Sequence, residues 1–588
     1  MARLNRSNAN NALLSIAIFG LLLMFWLGAL YYSDSFFSPY VFYAIVGAIS
    51  TIENIKNGNK MPAISKVLIV LFSAFFALAI VAANYNLISP FNAKRIILAG
   101  ILLATGYLIA KNTLIWALNR KTGLNEHYIC NVGNKAKYVF LTTFIFIFAI
   151  DVICLVFCSW PGIVSIDSLY QIEQVLHVRA FSNHHPFFHT MIIKICIDLG
   201  MALFGNINSG VAIYSILQIL CMAGIFAFVL TTLYQAGLSK GWISVALMAY
   251  VLMPYHILYS ITMWKDVLFG GVCILFICAL YRIIKDIGSK RTNYVAMFFG
   301  AAGTCLLRSN GYLALLLTFF VLIVLLGKEH KKLLLTLLVV LVVTFFMKHG
   351  LLKILDVSQP DTAEFLSIPE QQIARLIVEG VDMTEDDIWQ INKIMDINQV
   401  KTDYLPYISD PIKTIVRNTG QEYLNDHKGD YLKLYIRLAF KYPGIYIKAW
   451  IDQTKGYWNG GYPYWVAENG IVDNDYGLQA ALGNNLISKI MNKWFGFFLY
   501  NNTFKLFISI GLHVWIIILS MVIMIIEKRK ESVICVLLLA LILTLLVSTP
   551  VFSEFRYAYA VFTSFPFVVL ITFAAHGSAE SPVDVKRA

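Results

Sequence analysis

Apolar runs of roughly twenty residues recur along nearly the whole chain, and a run of this length crosses a bilayer as an α-helix. A transmembrane β-barrel would show shorter segments of alternating polarity instead. The pattern therefore predicts an all-α polytopic membrane protein. On length and hydropathy we predict about fourteen transmembrane helices, at residues 12–32, 38–53, 67–84, 95–118, 138–159, 210–234, 241–257, 264–285, 293–308, 311–327, 333–348, 504–526, 533–549 and 557–575.

Lysine and arginine residues cluster in alternate connections between the predicted spans. If the spans alternate in direction, every cluster faces the cytoplasm, as the positive-inside rule requires. We therefore predict a multi-pass protein of the cytoplasmic membrane with both termini in the cytoplasm. The loop that contains Asp167 and the long segment 349–503 then face outward. The clusters contain Arg3, Arg6, Lys56, Lys60, Lys66, Arg120, Lys121, Lys135, Lys137, Arg282, Lys285, Lys290, Arg291, Lys328, Lys331, Lys332, Lys528, Arg529 and Lys530.

The composition supports this class and narrows the chemistry. Of the 588 residues, 59% are hydrophobic and 14% are charged, whereas soluble domains are about one quarter charged. The net charge of +12 is explained by the cytoplasmic clusters, so it does not indicate nucleic-acid binding. The nine cysteines lie mostly within apolar runs without paired spacing, which indicates core packing rather than a metal site or a disulfide framework.

Changes in hydropathy divide the chain into four parts. Residues 1–120 form an N-terminal block of four spans, to which the sequence assigns no function. Residues 138–348 form a membrane core that includes an outward loop, 160–209. Residues 349–503 are more polar, so we predict a mainly helical extracytoplasmic domain. Residues 504–588 form a C-terminal block of three spans with a cytoplasmic tail.

The loop 160–209 is rich in titratable and amide side chains, with aromatic residues between them. Such a density at a membrane surface is typical of a functional site rather than of a solvated linker. The polar residues are Asp167, Ser168, Gln171, Glu173, Gln174, His177, Arg179, Asn183, His184 and His185.

Residues 186–204 are long enough to be counted as another span. His189, Lys194 and Asp198 interrupt this stretch near helical spacing, however, and burying them in lipid costs several kcal/mol. Counting a span here would also invert every later loop. We therefore predict an amphipathic helix that lies in the outer membrane interface.

The order of motifs in this loop resembles the GT-C superfamily of integral membrane glycosyltransferases, which includes the protein O-mannosyltransferases. In that superfamily the first outward loop supplies an aspartate that acts as catalytic base, and an HHPP-like segment follows it. Asp167 and the sequence His184-His185-Pro186 occupy these places, with Phe187 in place of the second proline.

Two later motifs extend the resemblance. Asp266 in MWKDVLFG matches a second acidic position in the next outward turn, and Arg556-Tyr557 matches an Arg-Tyr pair that opens a final span. The whole set, over about residues 138–575, is similar to an uncharacterised group of Gram-positive bacterial membrane proteins. The resemblance implies a GT-C-like core and, as function, transfer of a sugar by an inverting mechanism.

The chemistry of sugar transfer from a lipid phosphate accounts for the acidic residues. A base must deprotonate the acceptor hydroxyl, and Asp167 stands where such a base is needed. The alternative is that Asp167 caps the helix that follows it. Asp266 is the second candidate catalytic carboxylate; alternatively, it is a helix cap or an ion-pair partner of Lys265. We predict no cofactor, and a divalent cation between the two carboxylates stays open, although no ligand spacing supports it.

Basic residues at outer span ends are candidates for binding the phosphate. Arg308 and Arg556 oppose the positive-inside bias, and an anionic ligand explains this. The alternative is that they extend to lipid headgroups. Lys265 is a third candidate, and His184 and His185 either donate to the phosphate or orient Asp167.

Substrate contacts are predicted in the outward parts of the chain. The aromatic cluster GYWNGGYPYW has faces that stack on sugar rings, although an interfacial position is an equal alternative. Gln371, Gln372 and Arg375 recur on one helical face and are candidate contacts to donor or acceptor. The remaining candidates are Gln171, Trp458, Tyr462 and Trp465.

The sequence thus leads us to expect a glycosyltransferase that uses a polyprenyl-phosphate-linked sugar and a cell-envelope glycan or lipid acceptor on the outer face of the membrane. One alternative is a transporter or flippase of lipid-linked saccharides, which predicts internal repeats and ionisable residues near the bilayer midplane. The sequence shows neither convincingly. A polymerase or ligase of cell-surface polysaccharide is a further alternative, because it shares most of the same chemistry.

Overall fold

A computed structural model describes residues 39–57, 63–89, 92–119, 133–327, 329–481 and 484–574. Across these ranges the fold is all-α, and the only β pairing consists of isolated bridges. The predicted span 12–32, the chain termini and the basic residues Arg3, Arg6, Lys60, Arg120, Lys121 and Lys328 lie outside the described residues.

The N-terminal block contributes three long helices in its described part. Ala63–Ala83 and Ala93–Asn119 pack along each other, and Pro39–Asn57 packs against the latter. A short helix, Tyr85–Ile88, lies between Ala63–Ala83 and Ala93–Asn119 in the chain. The apolar core of this block is shared with Ile510–Ile526 from the C-terminal part of the chain, through Leu512, Leu519 and Ile523 among others. The first block is therefore packed onto the rest of the protein.

The membrane core is one large apolar cluster formed by long helices from the middle and the end of the chain. Lys265–Ile284 is its centre, since most of its residues are buried among neighbouring helices. The helices of the core are Gly133–Cys158, Ile207–Gln235, Lys240–Leu252, Pro254–Ser260, Lys265–Ile284, Lys290–Leu307, Ser309–Leu326, Lys331–Phe346, Ile510–Ile526, Val536–Val547 and Tyr559–Ala574.

Ten helices of the described ranges are long and apolar enough to cross a membrane, or eleven if the bent pair Lys240–Leu252 and Pro254–Ser260 is one span. The protein is therefore a multi-pass membrane protein. The predicted spans 38–53, 293–308 and 504–526 are helical, but their helices are shorter or more polar than these ten. The structure thus supports many membrane-spanning helices, whereas the predicted number of about fourteen stays a prediction.

The helix Phe187–Phe204 is one of the ten candidate spans, although the sequence predicts an interfacial helix here. Its polar groups are paired: His189 is buried among side chains, and Lys194 forms an ion pair with Asp198 at 2.9 Å. The helix also packs closely against Ile207–Gln235, where Gly200 leaves no room for a side chain beside Gly210. These features lower the cost of a membrane position, and the interfacial location stays a prediction.

The segment after the core contains helices with an apolar core of their own, formed by buried residues between Ala363 and Tyr446. The helix Lys331–Phe346 continues through a π-helical turn, Met347–Leu351, and a last turn, Leu352–Ile354. The domain helices are Thr362–Phe365, Ser367–Glu379, Glu385–Asn392, Ile397–Asp403, Asp410–Thr419, Gln421–Asp426, Lys428–Lys441 and Pro443–Thr454.

The chain returns from this domain to the membrane core without regular structure. A 3₁₀ turn, Lys455–Tyr457, opens the return segment, and the helix Leu486–Tyr500 follows it. Isolated bridges join the return segment to the loop before the helix Ile166–Val175, from Val164 to Ile471 and from Trp160 to Ala481. The loop that carries Asp167 is therefore held by chain from the far side of the domain. Three further 3₁₀ turns are Asn502–Ile508, Lys530–Cys535 and Arg556–Ala558.

Candidate functional site

A cavity of about 1330 Å³ lies where the helical domain meets the ends of the core helices. Its walls come from the helix Ile166–Val175, the ends of Ser309–Leu326 and Val536–Val547, and the domain helix Asp410–Thr419. Six of the residues predicted for catalysis and phosphate binding line it: Asp167, His184, His185, Lys265, Arg308 and Arg556. These residues are far apart in sequence, and the fold brings them into one space.

Asp167 occupies the second position of the helix Ile166–Val175. The N-cap residue is Ser165, so the alternative in which Asp167 caps this helix is wrong. The Asp167 carboxylate accepts a hydrogen bond from Arg556 Nη1 at 2.6 Å and lies 3.5 Å from Lys265 Nζ. Its orientation is therefore set by two cations rather than by the helix backbone.

These cations dominate the electrostatics of Asp167. Burial acts to raise the pKa of the Asp167 carboxyl, but the charges of Lys265 and Arg556 outweigh burial and hold that pKa well below its usual range. The carboxyl is therefore ionised at any physiological pH. While Lys265 and Arg556 are paired with Asp167, its carboxylate is a weak base. It becomes a stronger base when these cations pair with another anion.

The histidine pair lies beside this ion pair. His185 Nδ1 accepts a hydrogen bond from Lys265 Nζ at 3.2 Å, which leaves the proton of the neutral ring on Nε2. That Nε2 atom is buried and has no partner among the described residues. Burial lowers the pKa of His185 well below its usual value, and Lys265 lowers it further. His185 thus lines the cavity with a neutral ring whose Nε2 donor is buried and unsatisfied.

Asp266 lies behind the cavity wall rather than on it. The residue is 0% exposed, and its carboxylate pairs with Arg308. Trp264 is the N-cap of the helix Lys265–Ile284, and Lys265 pairs with Asp167, so both alternatives for Asp266 are wrong. Asp266 holds Arg308, which lines the cavity at an extended break between two helices.

Tyr557 connects the two arginines. Its ring centroid lies 4.8 Å from the Arg308 Cζ and 5.1 Å from the Arg556 Cζ, within the range of cation–π interactions. Arg556 also pairs with Glu554, a cavity residue that sequence reasoning missed. Burial raises the pKa of Glu554 above its ordinary value, although Arg556 opposes this. The two guanidinium groups therefore contact the same aromatic ring, and each is also paired with a carboxylate.

A second charged cluster, also missed from the sequence, lines the cavity from the helical domain. Lys413 Nζ lies 3.2 Å from a Glu364 carboxylate oxygen and 2.7 Å from Asp410, and Arg417 pairs with Glu364 and with Asp361. The signal in the sequence is the spacing of Lys413 and Arg417, four residues apart on one face of a short amphipathic helix.

The predicted contacts Gln171, Gln371 and Gln372 are not brought to the cavity. Gln171 donates to Thr190 Oγ1 at 2.8 Å, within the packing of the loop. The amide of Gln371 donates to the backbone carbonyls of Leu405 and Ile408. Gln372 donates to the Tyr446 carbonyl at 3.0 Å. Their buried amides satisfy backbone and side-chain groups of the fold.

Arg375 likewise has a structural position. Its Nη1 donates to Asp452 at 2.6 Å, and Tyr85 from the N-terminal block donates to the same carboxylate at 2.6 Å. Trp458 stacks on Trp450, with ring centroids 6.1 Å apart. The shared Asp452 carboxylate thus connects the helical domain to the N-terminal block. The sequence alone does not indicate this connection.

Two aromatic candidates lie near one another in the return segment but off the cavity wall. Tyr462 lies against Tyr464, with ring centroids 5.2 Å apart. Trp465 lies 6.2 Å from the ring of Trp264, and Trp264 in turn lies beneath the Arg556 guanidinium. Trp465 therefore supports the site from behind.

Comparison with known proteins identifies the family. No curated protein and no solved structure matches the chain. The profile of one family matches residues 176–586, which leaves the N-terminal block and Asp167 before the matched region. Since the match covers more than half of the sequence, the chain belongs to DUF6020, a family of unknown function.

Proposed function

We propose that this protein is a membrane glycosyltransferase with a GT-C-like core, which transfers a sugar from a polyprenyl-phosphate donor to a cell-envelope acceptor on the outer face of the membrane. The observation that carries the proposal is the hydrogen-bonded pair of Asp167 and Arg556 within a large cavity. A base and a phosphate-binding cation must lie within a few ångströms of the same glycosidic carbon, and this pair supplies both groups.

The shape and polarity of the cavity fit such a donor. Arg308, Arg556 and Lys265 offer guanidinium and ammonium donors to a phosphate. Leu313 and Leu543 give the adjoining wall an apolar surface, which suits an isoprenoid chain. A lipid that carries a charged headgroup needs both surfaces.

The transfer proceeds by a single displacement. Asp167 takes the proton of the acceptor hydroxyl while that oxygen attacks the anomeric carbon. The bond from this carbon to the phosphate oxygen breaks, and the phosphate keeps the electron pair beside the cations. Attack from the face opposite the leaving group inverts the configuration.

Donor binding also activates the base in this scheme. In the free protein Lys265 and Arg556 hold the Asp167 carboxylate. A donor phosphate competes for these cations, so their hold on Asp167 weakens and the pKa of its carboxyl rises towards its ordinary value. The carboxylate thus becomes a better proton acceptor when the donor is in place.

The test is Asp167→Asn, which keeps the size of the side chain and removes its basicity. We expect a loss of sugar transfer of about a hundredfold to ten-thousandfold, with normal protein level and retained donor binding. The measurement is glycan transfer in membranes, or restoration of the envelope glycan in a deletion strain. Asp198→Asn is the matched control, because Asp198 pairs with Lys194 away from the cavity. An active Asp167→Asn variant would remove the base from the proposal.

Transport of a lipid-linked saccharide is the second candidate. It is favoured by the bend of 59° between Lys240–Leu252 and Pro254–Ser260, because broken helices line transporter sites. Asp151, within the helix Gly133–Cys158, is buried near this bend, and His256 accepts from or donates to Tyr559 at 2.9 Å. Lipid translocation by reconstituted protein without a sugar acceptor would favour this candidate.

A further inference from the structure

The cations of the cavity differ in how their charges are compensated. Seven lysine and arginine side chains line it, and six of them have a carboxylate within 4.0 Å. The six are Arg179, Lys265, Arg308, Lys413, Arg417 and Arg556. Lys348 is the seventh, and in the part of the chain that the structure describes it forms no ion pair.

Lys348 lies in the π-helical turn Met347–Leu351, at the end of the long helix Lys331–Phe346. Turns of this type are rare and occur often at functional sites. Its Nζ donates to the Cys305 carbonyl at 3.4 Å and lies 5.9 Å from the centroid of the Tyr312 ring. Both contacts are weak, and they leave most of the ammonium's donor capacity unused.

The contacts of Lys348 place it near Arg308. Cys305 and Tyr312 belong to the two helices that meet at Arg308, and all three positions lie within one short stretch of chain. The side chains of Lys348 and Arg308 line the same cavity. The Lys348 ammonium therefore lies beside the stretch of chain that contains Arg308.

The cavity wall beside this junction carries exposed apolar side chains. Leu313 is 48% exposed, Leu543 is 51% exposed and Val547 is 66% exposed, and all three line the cavity. They belong to Ser309–Leu326 and to the end of Val536–Val547, which pack against each other. A molecule with an apolar chain can lie along these residues while its headgroup reaches Lys348.

We infer that Lys348 binds the phosphate of a lipid whose apolar chain lies against Leu313, Leu543 and Val547. An anionic ligand would compensate a partly buried ammonium that has no carboxylate partner, and a lipid phosphate supplies such an anion next to an apolar surface. The inference rests on the proposed function only for the source of the phosphate, which is either a polyprenyl phosphate or a bilayer phospholipid.

The test uses the full-length protein in nanodiscs made of a zwitterionic lipid, with a fluorescent long-chain polyprenyl phosphate as the probe. We expect Lys348→Ala to weaken binding of the probe about tenfold or more, the usual value of a charge-assisted hydrogen bond. Lys348→Arg should restore most of the affinity. Lys353→Ala is the matched control, because Lys353 is exposed near the same turn and does not line the cavity.

Competition identifies the source of the phosphate. If excess phosphatidylglycerol does not displace the probe, the ligand is the polyprenyl phosphate. If it displaces the probe from the wild type but not from Lys348→Ala, the site holds a bilayer phospholipid. Equal probe affinity for the wild type and Lys348→Ala overturns the inference. That result would leave the proposed function standing if Asp167→Asn is inactive, so the two failures are distinguishable.

Discussion

Arg556 donates a hydrogen bond to Asp167 over 2.6 Å, although 389 positions separate the two residues in the chain. Arg556 also pairs with Glu554 and lies over the ring of Trp264, with 5.2 Å between its Cζ and the ring centroid. The guanidinium is therefore fixed by two carboxylates and an aromatic face. A side chain held in this way is fixed in place and is not free to extend to lipid headgroups.

The first prediction concerns the geometry of Arg556. Arg556→Lys keeps the charge but loses the planar fork, so donor binding should weaken. Arg556→Ala should weaken donor binding further and should also lower stability by about 3–5 kcal/mol, because it leaves buried carboxylates unpaired. The measurements are the KM for the donor and the thermal unfolding midpoint in detergent. Activity like that of the wild type in both variants would contradict the phosphate role.

The second prediction concerns pH. In the free protein the cations hold the pKa of Asp167 well below its usual range, so its carboxylate persists as the pH falls. Under the proposed function, donor phosphate competes for those cations and should raise this pKa in the complex. On the acid side, kcat should therefore fall at a higher pH than kcat/KM does, since kcat reports the complex and kcat/KM the free enzyme. Coincident acid limbs would contradict this coupling.

A third prediction concerns the buried pair of Asp266 and Arg308. Asp266 Oδ2 has no hydrogen-bond partner among the described residues, so the negative charge of Asp266 is compensated by its ion pair with Arg308. Arg308→Met should lower the free energy of unfolding by about 3–5 kcal/mol. The double variant Arg308→Met/Asp266→Leu should recover most of that loss, because no isolated charge then stays buried. Thermal unfolding of both single variants and the double variant measures the coupling, and additive losses would show that the residues do not act as a pair.

The fourth prediction concerns Glu370 in the helical domain. Both of its carboxylate oxygens lack a partner among the described residues, and burial raises the pKa of Glu370 to about 8. The folded protein thus keeps a proton that the unfolded chain releases near pH 4.5. Stability should fall as the pH rises between these two values.

Glu370→Gln removes this dependence. At neutral pH we expect the variant to be more stable than the wild type by a few kcal/mol, at about 1.4 kcal/mol for each unit between the unfolded pKa and the working pH. The gain should shrink towards zero as the pH is lowered to the unfolded value. Glu379→Gln is the control, because Glu379 is paired with Arg375 on the same helix. An equal gain at all pH values would contradict a buried neutral carboxyl.

The fifth prediction concerns topology. Cysteines introduced at Asn469 and at Lys530, both exposed, should label from outside and from inside respectively. If Phe187–Phe204 lies in the interface, cysteines at Val178 and Asn206 should both label from the side of Asn469. Labelling of Val178 and Asn206 from opposite sides would make this helix a span and invert the loops that follow.

Periodic features of the chain were predictable, and features that depend on distant partners were not. Apolar runs fix where helices such as Lys265–Ile284 begin and end, because the bilayer requires that length. The motifs that contain Asp167, Lys265 and Arg556 could also be predicted, because charged residues at the ends of apolar runs stand out in the sequence. The pairing of Asp167 with Arg556 depends on how the last span packs, which no local pattern encodes.

The errors of the sequence analysis have the same origin. Gln371 and Arg375 lie on one helical face, but that face is occupied by the backbone and side chains of neighbouring helices. Lys413 lies in a polar segment, where a lysine is usually solvated, and Lys348 ends the predicted span 333–348, where a lysine usually extends to the membrane surface. Their placement at the cavity became apparent only from the packing of the domain onto the membrane helices.

The bridges that join residues 160–164 to residues 471–481, and the Asp167–Arg556 hydrogen bond, can form only after the later part of the chain has been translated. At about 5–20 residues per second, roughly 20 to 80 s of translation separate Asp167 from Arg556. Throughout that interval the nascent chain holds its carboxylate and histidine pair without the arginine that completes them. The Asp167–Arg556 pair therefore cannot form until the chain has been made as far as residue 556.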